Sequence, residues 1–361
     1  MTQINVPNYE KTVALLRSET VEILLELAMA KLGKGSSWPQ YGTRYLPSNL
    51  SDSASKPNFM PEQATLYVLD SLSAELSKHE YISYLEECGR NISQYWLQYV
   101  NDTDVTVEQA LHSLKIGLSN QPHYSNFYLQ ESSTQLTYIL APIDAKKPSE
   151  NLNFGLELIS TYSLVSFVEY LVGKVWRPKR ITLRFPDSIY SEVITNSLCN
   201  DTIYKAKNTS IEILEDDKQA LICHSSLKAS KLAILDQQQI DLRYPFSTSL
   251  VLALEAYVGK LKLEVNPIAE VIGIAPRTLQ RRLAQEGCTF RQVKDYLHVK
   301  FAVKLLSTGE CSATEIASHL DYADLSHFSR AFKRVTGSSP SDATTNIPSF
   351  SAQLEMSKDI T

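Results

Sequence analysis

The sequence predicts two domains: an α+β domain at the N-terminus, and an all-α domain at the C-terminus with two helix-turn-helix units joined by a long helix. The length of 361 residues favours two domains, because one domain typically holds roughly 100–200 residues. Residues 1–240 change from helical periodicity to short strand-like runs, whereas helical periodicity continues from residue 250 onward. We therefore assign 1–240 to an N-terminal domain, 241–249 to a linker, 250–345 to the helical domain and 346–361 to a flexible tail.

The first domain is predicted to contain helices followed by antiparallel strands with further helices. Helical periodicity covers 10–35, a helix opened by Pro61, 81–100 and 105–118. Strand-like alternation predicts two hairpins, one over 126–141 and one over 211–224 that turns at the charged run 215–218. A long apolar helix over 153–175 and a strand over 180–185 lie between the hairpins.

Composition excludes several classes of protein. The five cysteines lie far apart without a CxxC pair, so neither a zinc site nor a disulfide framework is expected, and a reducing cytoplasm fits. No uncharged apolar run approaches the roughly 20 residues of a membrane span, and the best candidate, 21–30, contains two glutamates. The N-terminus has no signal-peptide pattern. We expect a cytoplasmic protein without a membrane partner.

Candidate effector-binding residues cluster around the end of the long apolar helix. Tyr162 and Trp176 are aromatic residues of the kind that line small-molecule pockets, and Arg177 and Arg180 belong to a basic cluster that can hold a carboxylate or phosphate. Core packing of the rings and a solvated strand edge for the arginines are the alternative interpretations. The sequence has no GxSxG, HExxH, GxGxxG or Walker motif and no metal-ligand spacing, so we expect no enzyme, cofactor or metal.

The first helix-turn-helix unit is predicted from Asn266 to Leu283. Asn266 and Pro267 suit the start of a short helix that ends at Gly273, and Pro276 suits the first turn of a second helix. Leu279 and Leu283 would face the core of the domain. The opposite face would carry the polar side chains Arg277, Gln280 and Arg281, with Arg282 at its edge.

The second unit repeats the pattern. Ser312 and Glu315 form a capping box for a helix over 313–320, and Asp324 is placed to cap a helix over 325–335. Phe328 and Phe332 would face inward. The outer face would carry Ser326, His327 and Arg330, with Lys333 and Arg334 further along the helix, within reach of phosphates.

These two outward sets are the candidate DNA-binding residues. An arginine can bridge guanine O6 and N7, and a glutamine can pair with adenine N6 and N7 in the major groove. A single basic amphipathic helix is usually only a solvated surface, and the tandem arrangement is what favours DNA. The net charge of the chain is −5, and residues 255–345 carry 12 Lys and Arg against 10 Asp and Glu. The prediction therefore depends on where the charges lie.

The C-terminal region resembles the AraC/XylS family of bacterial transcription regulators. The resemblance rests on RTLQRRL at 277–283, on DLSHFSRAFKR at 324–334 and on Ser339-Pro340. It implies promoter DNA and RNA polymerase as partners, a small-molecule effector, activation or repression of transcription, and a homodimer as a further assembly. The N-terminal region resembles that of ornithine- and arginine-responsive regulators, through WRP at 176–178 and ITLRFP at 181–186. A partner-binding or oligomerisation module, or a tethered enzyme domain, is the alternative for this region.

Several positions depart from the family pattern, among them the residues after Ser339-Pro340, where the usual Tyr-Arg is absent. Ala275 replaces the usual serine cap, which should weaken that helix start by about 1 kcal/mol. Asp321-Tyr322 stands where Gly-Phe is common, and aspartate tolerates the left-handed conformation of such a turn. His298 stands on the long helix where arginine is common. None of these replaces a groove-facing candidate, and the two arginines of the first set lead us to expect more base discrimination from the first unit.

Overall fold

The computed structural model describes Val13 and residues 15–32, 58–119, 125–131, 135–142, 154–223, 245–309, 311–342, 347, 349, 350, 352 and 353. The chain folds into two compact units. Of the described residues, the N-terminal unit contains 19–32 and 65–223. The C-terminal unit contains Val13, 15–18, 58–64 and those from 245 onward.

The N-terminal unit combines helices with antiparallel strands, as predicted, and the strands form a five-stranded sheet. Its helices are α1 (Ser18–Leu32), α2 (Glu62–Glu75), α3 (Lys78–Trp96), α4 (Val107–Ser119), α5 (Phe154–Val172), α6 (Ser191–Ser197) and α7 (Glu215–Lys218), with the first residues of α1 and α2 in the C-terminal unit. Its strands are β3 (Ser125–Glu131), β4 (Gln135–Pro142), β5 (Arg180–Thr182), β6 (Thr202–Ile203) and β7 (Thr209–Leu214). The sheet order is β3-β4-β7-β5-β6, and only the β5–β6 pair is parallel.

The first predicted hairpin is confirmed by the antiparallel pair β3 and β4. The second is wrong, because the charged run that was expected to turn the chain forms the short helix α7. Leu221 then bridges Thr106, so it does not pair back onto β7. His224, at the end of that predicted hairpin, lies outside the described residues. The predicted strand over 180–185 is shorter than expected and ends at Thr182.

Helices α3 and α5 form the core of the N-terminal unit. They approach closely at Gly89, where a Cβ atom would lie 2.5 Å from the Cβ of Tyr162. Helix α5 also carries the buried carboxylate of Glu157, which accepts hydrogen bonds from the Arg184 amide at 2.8 Å and from the Thr209 hydroxyl. Burial raises the pKa of Glu157 despite these bonds.

Helix α5 also corrects an expectation about apolar segments. Among the described helices it is the one with the length and composition of a membrane span, whereas 21–30 was the best candidate in the sequence and was rejected for its two glutamates. Since 78% of the apolar window is buried inside the protein, α5 has the surroundings of a core helix.

The C-terminal unit contains α8 (Phe246–Leu254), α9 (Val265–Val271), α10 (Pro276–Gln285), α11 (Phe290–Thr308), α12 (Ala313–His319) and α13 (Leu325–Thr336). Phe246 to Ser249 are helical, so the helices begin inside the predicted linker 241–249. The first helix of the first unit begins at Val265, one residue before the predicted cap Asn266. Pro267 still lies in the first turn, where proline is tolerated.

The C-terminal unit is not purely helical, because it includes two strands from the N-terminal part of the sequence. β1 (Leu15–Arg17) pairs antiparallel with β2 (Phe59–Pro61), although 10–35 was predicted as one helix. β2 packs against α8, and the Val13 amide donates a hydrogen bond to the Ser249 hydroxyl at 3.0 Å. This unit therefore crosses the predicted boundary at 240. The predicted flexible tail also contributes to it, because Phe350 is buried against Tyr296.

Candidate DNA-binding surface and effector cavity

The second helix of the first unit, α10, presents the predicted polar set to solvent. Leu279 and Leu283 are fully buried, and Arg277, Gln280 and Arg281 are exposed on the other side. Pro276 is the first residue of the helix, and its N-cap Ala275 makes no side-chain hydrogen bond, as predicted. The turn before α10 uses Gly273 at φ 70°, a conformation that glycine adopts readily.

Arg282 does not share this exposed face. Its guanidinium lies over the ring of Phe246, 5.4 Å from the centroid, so it contributes a cation–π contact to the packing of α8. Glu286, just after α10, accepts hydrogen bonds from the backbone amides of Phe246 at 2.6 Å and Ser247 at 2.9 Å. A carboxylate at this position caps the positive end of α8. Sequence reasoning missed both contacts, because their partners are distant in the chain.

The second helix of the second unit, α13, has the same two-sided arrangement. Phe328 and Phe332 are fully buried, and Ser326, His327 and Arg330 are exposed. The capping box of Ser312 and Glu315 is present, and the Asp324 carboxylate accepts a hydrogen bond from the His327 amide at 2.7 Å. These bonds lower the pKa of Glu315 and of Asp324. Asp321 adopts φ 57°, as expected for the turn.

Lys333 and Arg334 lie in different surroundings, although both were predicted to contact phosphates. Lys333 is exposed. The guanidinium of Arg334 lies 2.6 Å from the carboxylate of Asp295, a residue of α11 whose side chain is 9% exposed. That ion pair joins α13 to α11, which gives Arg334 a structural role.

The long helix α11 connects the two helix-turn-helix units and packs against α8, α12 and α13. It has 19 residues, which at 1.5 Å per residue gives a length of about 28 Å. Successive major-groove segments on one face of DNA are roughly 34 Å apart. The length of α11 is therefore of the same order as one helical turn of DNA.

A cavity of about 540 Å³ in the N-terminal unit is the candidate effector site. It lies between α3, α5, the loop after α5 and the end of α6. Two of the four predicted residues, Tyr162 and Arg177, line it. The Tyr162 hydroxyl is hydrogen-bonded to the Ser197 hydroxyl at 2.6 Å.

The other two predicted residues do not line this cavity. Trp176 is buried, with 5% of its surface exposed, and its backbone amide donates to the Glu169 carboxylate at 3.2 Å. Arg180 pairs with Asp201 at 2.8 Å and with Glu212 at 3.9 Å on the sheet. Core packing, which was the alternative interpretation, explains Trp176. Arg180 is explained by its ion pairs on the sheet, which the sequence analysis did not predict.

The cavity has further charged residues that sequence analysis did not identify. Beside Arg177, the lining includes the charged side chains Glu86, Arg90, Glu169 and Lys174. Glu86 and Arg90 form an ion pair at 2.9 Å. The i, i+4 spacing of Glu86 and Arg90 on α3 is visible in the sequence, but the packing of α3 on α5 is not. Among the described residues no group of three His, Cys, Asp or Glu could hold a metal ion.

Comparison with known proteins agrees with the C-terminal geometry. A family model described as a helix-turn-helix domain matches residues 268–346. A helix-turn-helix regulator from Mycobacterium tuberculosis is 39% identical over 75 residues, 21% of this chain and 22% of the relative. From Pseudomonas aeruginosa, the regulator VqsM is 36% identical over 74 residues, 20% of this chain and 23% of the relative. The ornithine utilization regulator of the same organism is 35% identical over 79 residues, 22% of this chain and 23% of the relative.

Residues 268–346 are therefore a helix-turn-helix domain. The domain is of the AraC type, which confirms the resemblance predicted from 277–283 and 324–334. The relatives named above are regulators of transcription, and the matched segment is 22–23% of their length. The crystal structure of the regulator CdpR from Pseudomonas aeruginosa covers 90% of this chain and 96% of its own, at 17% identity and a TM-score of 0.32. That score is too low to establish a shared overall fold.

Proposed function

We propose that the chain is a sequence-specific DNA-binding regulator of transcription, controlled by a small-molecule effector that binds its N-terminal unit. The observation that supports this most is the pair of exposed polar sets on α10 and α13, each behind a fully buried apolar face. Promoter DNA is the partner, and RNA polymerase and a second copy of the chain are further proposed partners. The proposed location is the bacterial cytoplasm, as for the regulators that the C-terminal domain resembles.

Footprinting of promoter DNA with the full chain tests the DNA-binding proposal. We expect a protected site that spans two successive major-groove segments. Arg277→Ala and Arg330→Ala should each weaken specific binding by about 1–3 kcal/mol, with the larger loss at Arg277, and should relax base preference at different positions of the site. Lys333→Ala should weaken binding to all sequences. It should also lower the slope of log affinity against log salt by the amount expected for about one phosphate contact.

Arg180→Ala is a matched control. This arginine lies in the N-terminal unit, where it forms an ion pair with Asp201. Its binding should equal that of the wild type. Equal losses of base preference from Arg277, Arg330 and Lys333 would contradict the proposed roles. Absence of any sequence preference, with and without candidate effectors, would remove the regulator proposal.

The effector proposal is supported by the cavity that Tyr162 and Arg177 line. A thermal-shift screen of amino acids, sugars and organic acids with the full chain tests it, since a ligand selective for the folded state raises the melting temperature. We expect Arg177→Ala to abolish the shift caused by an effective ligand and Arg180→Ala to preserve it. A shift that both variants preserve would place the ligand elsewhere. If no small molecule has an effect, a partner-binding role of this unit is favoured.

A further inference from the structure

A second cavity of the N-terminal unit brings four aromatic side chains together. It has a volume of about 270 Å³, just below the range of roughly 300–1,000 Å³ that is typical of small-molecule sites, so it suits a small ligand. Its lining comes from α2, the beginning of α3, the beginning of α5 and the loop between β5 and α6. It shares no described lining residue with the cavity that Tyr162 and Arg177 line. Its aromatic residues are Tyr81, Phe154, Phe185 and Tyr190.

The four aromatic side chains form one connected cluster, although they come from separate parts of the chain. The ring centroid of Phe154 lies 4.5 Å from that of Phe185 and 5.2 Å from that of Tyr190. The centroids of Tyr81 and Tyr190 are 5.8 Å apart. Phe154 and Tyr190 are half-buried, so part of their surface stays open. An aromatic ring attracts a cation that lies over its face within about 6 Å of the centroid, and several rings around one cavity therefore favour a cationic ligand.

The charge of the cavity has the sign that a cation requires. Among the described lining residues Asp70 is the charged one, and none is a lysine, arginine or histidine. No described basic side chain forms an ion pair with Asp70. Burial, followed by the effects of Tyr190 and of Asp70, raises the pKa of Tyr81, so the negative charge of Asp70 acts on that side chain. Glu157 lies in the first turn of α5, where a carboxylate offsets the positive end of the helix.

We propose that this cavity binds a small alkylated ammonium ion, held by the four aromatic rings and by the carboxylate of Asp70. Aromatic cages recognise such ions because the electron-rich rings attract the charge and also accommodate the alkyl groups. The serine hydroxyls of the lining already take part in local hydrogen bonds. Ser73 donates to the Asp70 carbonyl at 2.7 Å, and Ser188 accepts from the Tyr190 amide at 3.3 Å. This favours an alkylated ion over a primary ammonium group, which has three N–H bonds to satisfy.

Ligand-observed NMR with the full chain tests the proposal, with tetramethylammonium as the cationic probe and tert-butanol as a neutral probe of similar shape. Tetramethylammonium should bind saturably, measured by the broadening of its methyl proton signal while sodium chloride holds the ionic strength constant. tert-Butanol should not compete, because a neutral molecule is not attracted by the carboxylate or by the ring faces. The proposal is overturned if tetramethylammonium binds no better than tert-butanol.

Charge removal tests the role of Asp70. Asp70→Asn should weaken binding about fivefold, the effect of roughly one unit charge at contact in water. Glu75→Gln is the matched control, because Glu75 is an exposed carboxylate on the same helix α2 but outside the cavity lining. It should change the affinity by less than about twofold. Equal losses from the two variants would show a general effect of net charge and would overturn the proposal.

Ring removal tests the aromatic contribution. Tyr190→Leu keeps an apolar side chain but removes the ring, and it should weaken binding about three- to fivefold. Tyr190→Phe keeps the ring and should bind like the wild type. Since Tyr190 is only half-buried, both variants are expected to fold. If Tyr190→Leu binds as well as Tyr190→Phe, the ring makes no contact with the cation and the proposal is overturned.

Glu169→Gln separates this site from the larger cavity, whose lining includes the carboxylates of Glu86 and Glu169. The variant keeps an acceptor for the Trp176 amide and should bind tetramethylammonium like the wild type. Loss of binding in this variant would place the cation in the larger cavity and overturn the proposal. The measurement uses no DNA and no effector, so its failure is distinguishable from a failure of the proposed regulatory function.

Discussion

The two helix-turn-helix units share an arrangement but begin their helices by different means. In the first unit, neither Glu264 before α9 nor Ala275 before α10 makes a side-chain capping bond. In the second unit, Ser312 caps α12 within a capping box and Asp324 caps α13. The first unit instead has tertiary contacts with α8, through Glu286 and Arg282.

This difference shows that one supersecondary structure can be fixed either locally or by its neighbours. The second unit carries its start signals within its own short segment, so it should form with little help from other elements. The first unit depends on α8, and loss of α8 contacts should affect it most. The following changes test that distinction, from the largest expected effect to the smallest.

Removal of core aromatic volume should destabilise the second unit most. Phe328 is fully buried, and the centroid of its ring lies 5.5 Å from that of Tyr322 and 5.7 Å from that of Phe332. Phe328→Ala should lower the free energy of unfolding by about 3–5 kcal/mol, and Leu279→Ala in the first unit by about 2–5 kcal/mol. Urea unfolding measures both. Leu325→Ala on the exposed side of α13 should stay within about 0.5 kcal/mol of the wild type. If Leu279→Ala lowered the free energy of unfolding more than Phe328→Ala, the expected order of the two helix-turn-helix units would be reversed.

Loss of Glu286 should weaken the first unit through α8. Glu286→Ala removes two hydrogen bonds from the amides of Phe246 and Ser247, and should lower stability by about 1–3 kcal/mol. Hydrogen exchange of amides in α8 and α10 is the suitable measurement, since it reports local opening. Amides of α13 should keep their protection. Equal loss of protection in both units would show that they do not differ in their dependence on α8.

Substitutions at the capping residues should change stability in opposite directions in the two helix-turn-helix units. Ala275→Ser supplies the missing cap of α10 and should stabilise the protein by about 0.5–1 kcal/mol, whereas Ser312→Ala should destabilise it by about 1 kcal/mol. Both effects can be measured as shifts of the urea midpoint, provided that the slope of the unfolding free energy against urea concentration is unchanged. If Ala275→Ser has no effect while Ser312→Ala does, the tertiary contacts of α10 already fulfil the role of a cap.

Acid should weaken the second unit through its charged caps. The folded pKa of Asp324 lies below its ordinary value of 3.8, because the carboxylate accepts the His327 amide hydrogen bond. A carboxyl group with a lowered pKa stabilises the fold above its unfolded pKa, and this contribution disappears as the pH falls through the folded pKa. Asp324→Asn keeps an acceptor and should flatten the loss of stability on acidification to about pH 3. Ala275→Ser should leave that acid dependence unchanged, and an identical curve for Asp324→Asn and wild type would contradict the assignment.

Local features of the C-terminal unit could be predicted from the sequence. The capping box of Ser312 and Glu315, the cap Asp324, the start of α10 at Pro276 and the left-handed Asp321 are all set by residues within a few positions of one another. The division of α10 and α13 into buried and exposed faces follows from helical periodicity in the same way.

Features that depend on distant partners could not be predicted. The β1–β2 pair joins segments far apart in sequence, and β1 was assigned to a helix because its leucines fit helical spacing. Arg282 and Arg334 look like free basic side chains until Phe246 and Asp295 are placed beside them. His298 and Asp321 stand out in the sequence as departures from the family pattern. That both line one cavity follows only from the packing of α11 against α12.

The β1–β2 pair has a practical consequence for recombination between related regulators. A hybrid made by exchanging residues 250–345 would place the guest helices against the host's strands. The buried side chains Phe59 and Met60, together with the first turn of α8, would then have to fit a foreign surface. An isolated fragment that starts at residue 250 would lack both strands and Phe246. The sequence boundary of the helix-turn-helix domain is therefore not the boundary at which it can be exchanged, and a hybrid has to include compatible strands.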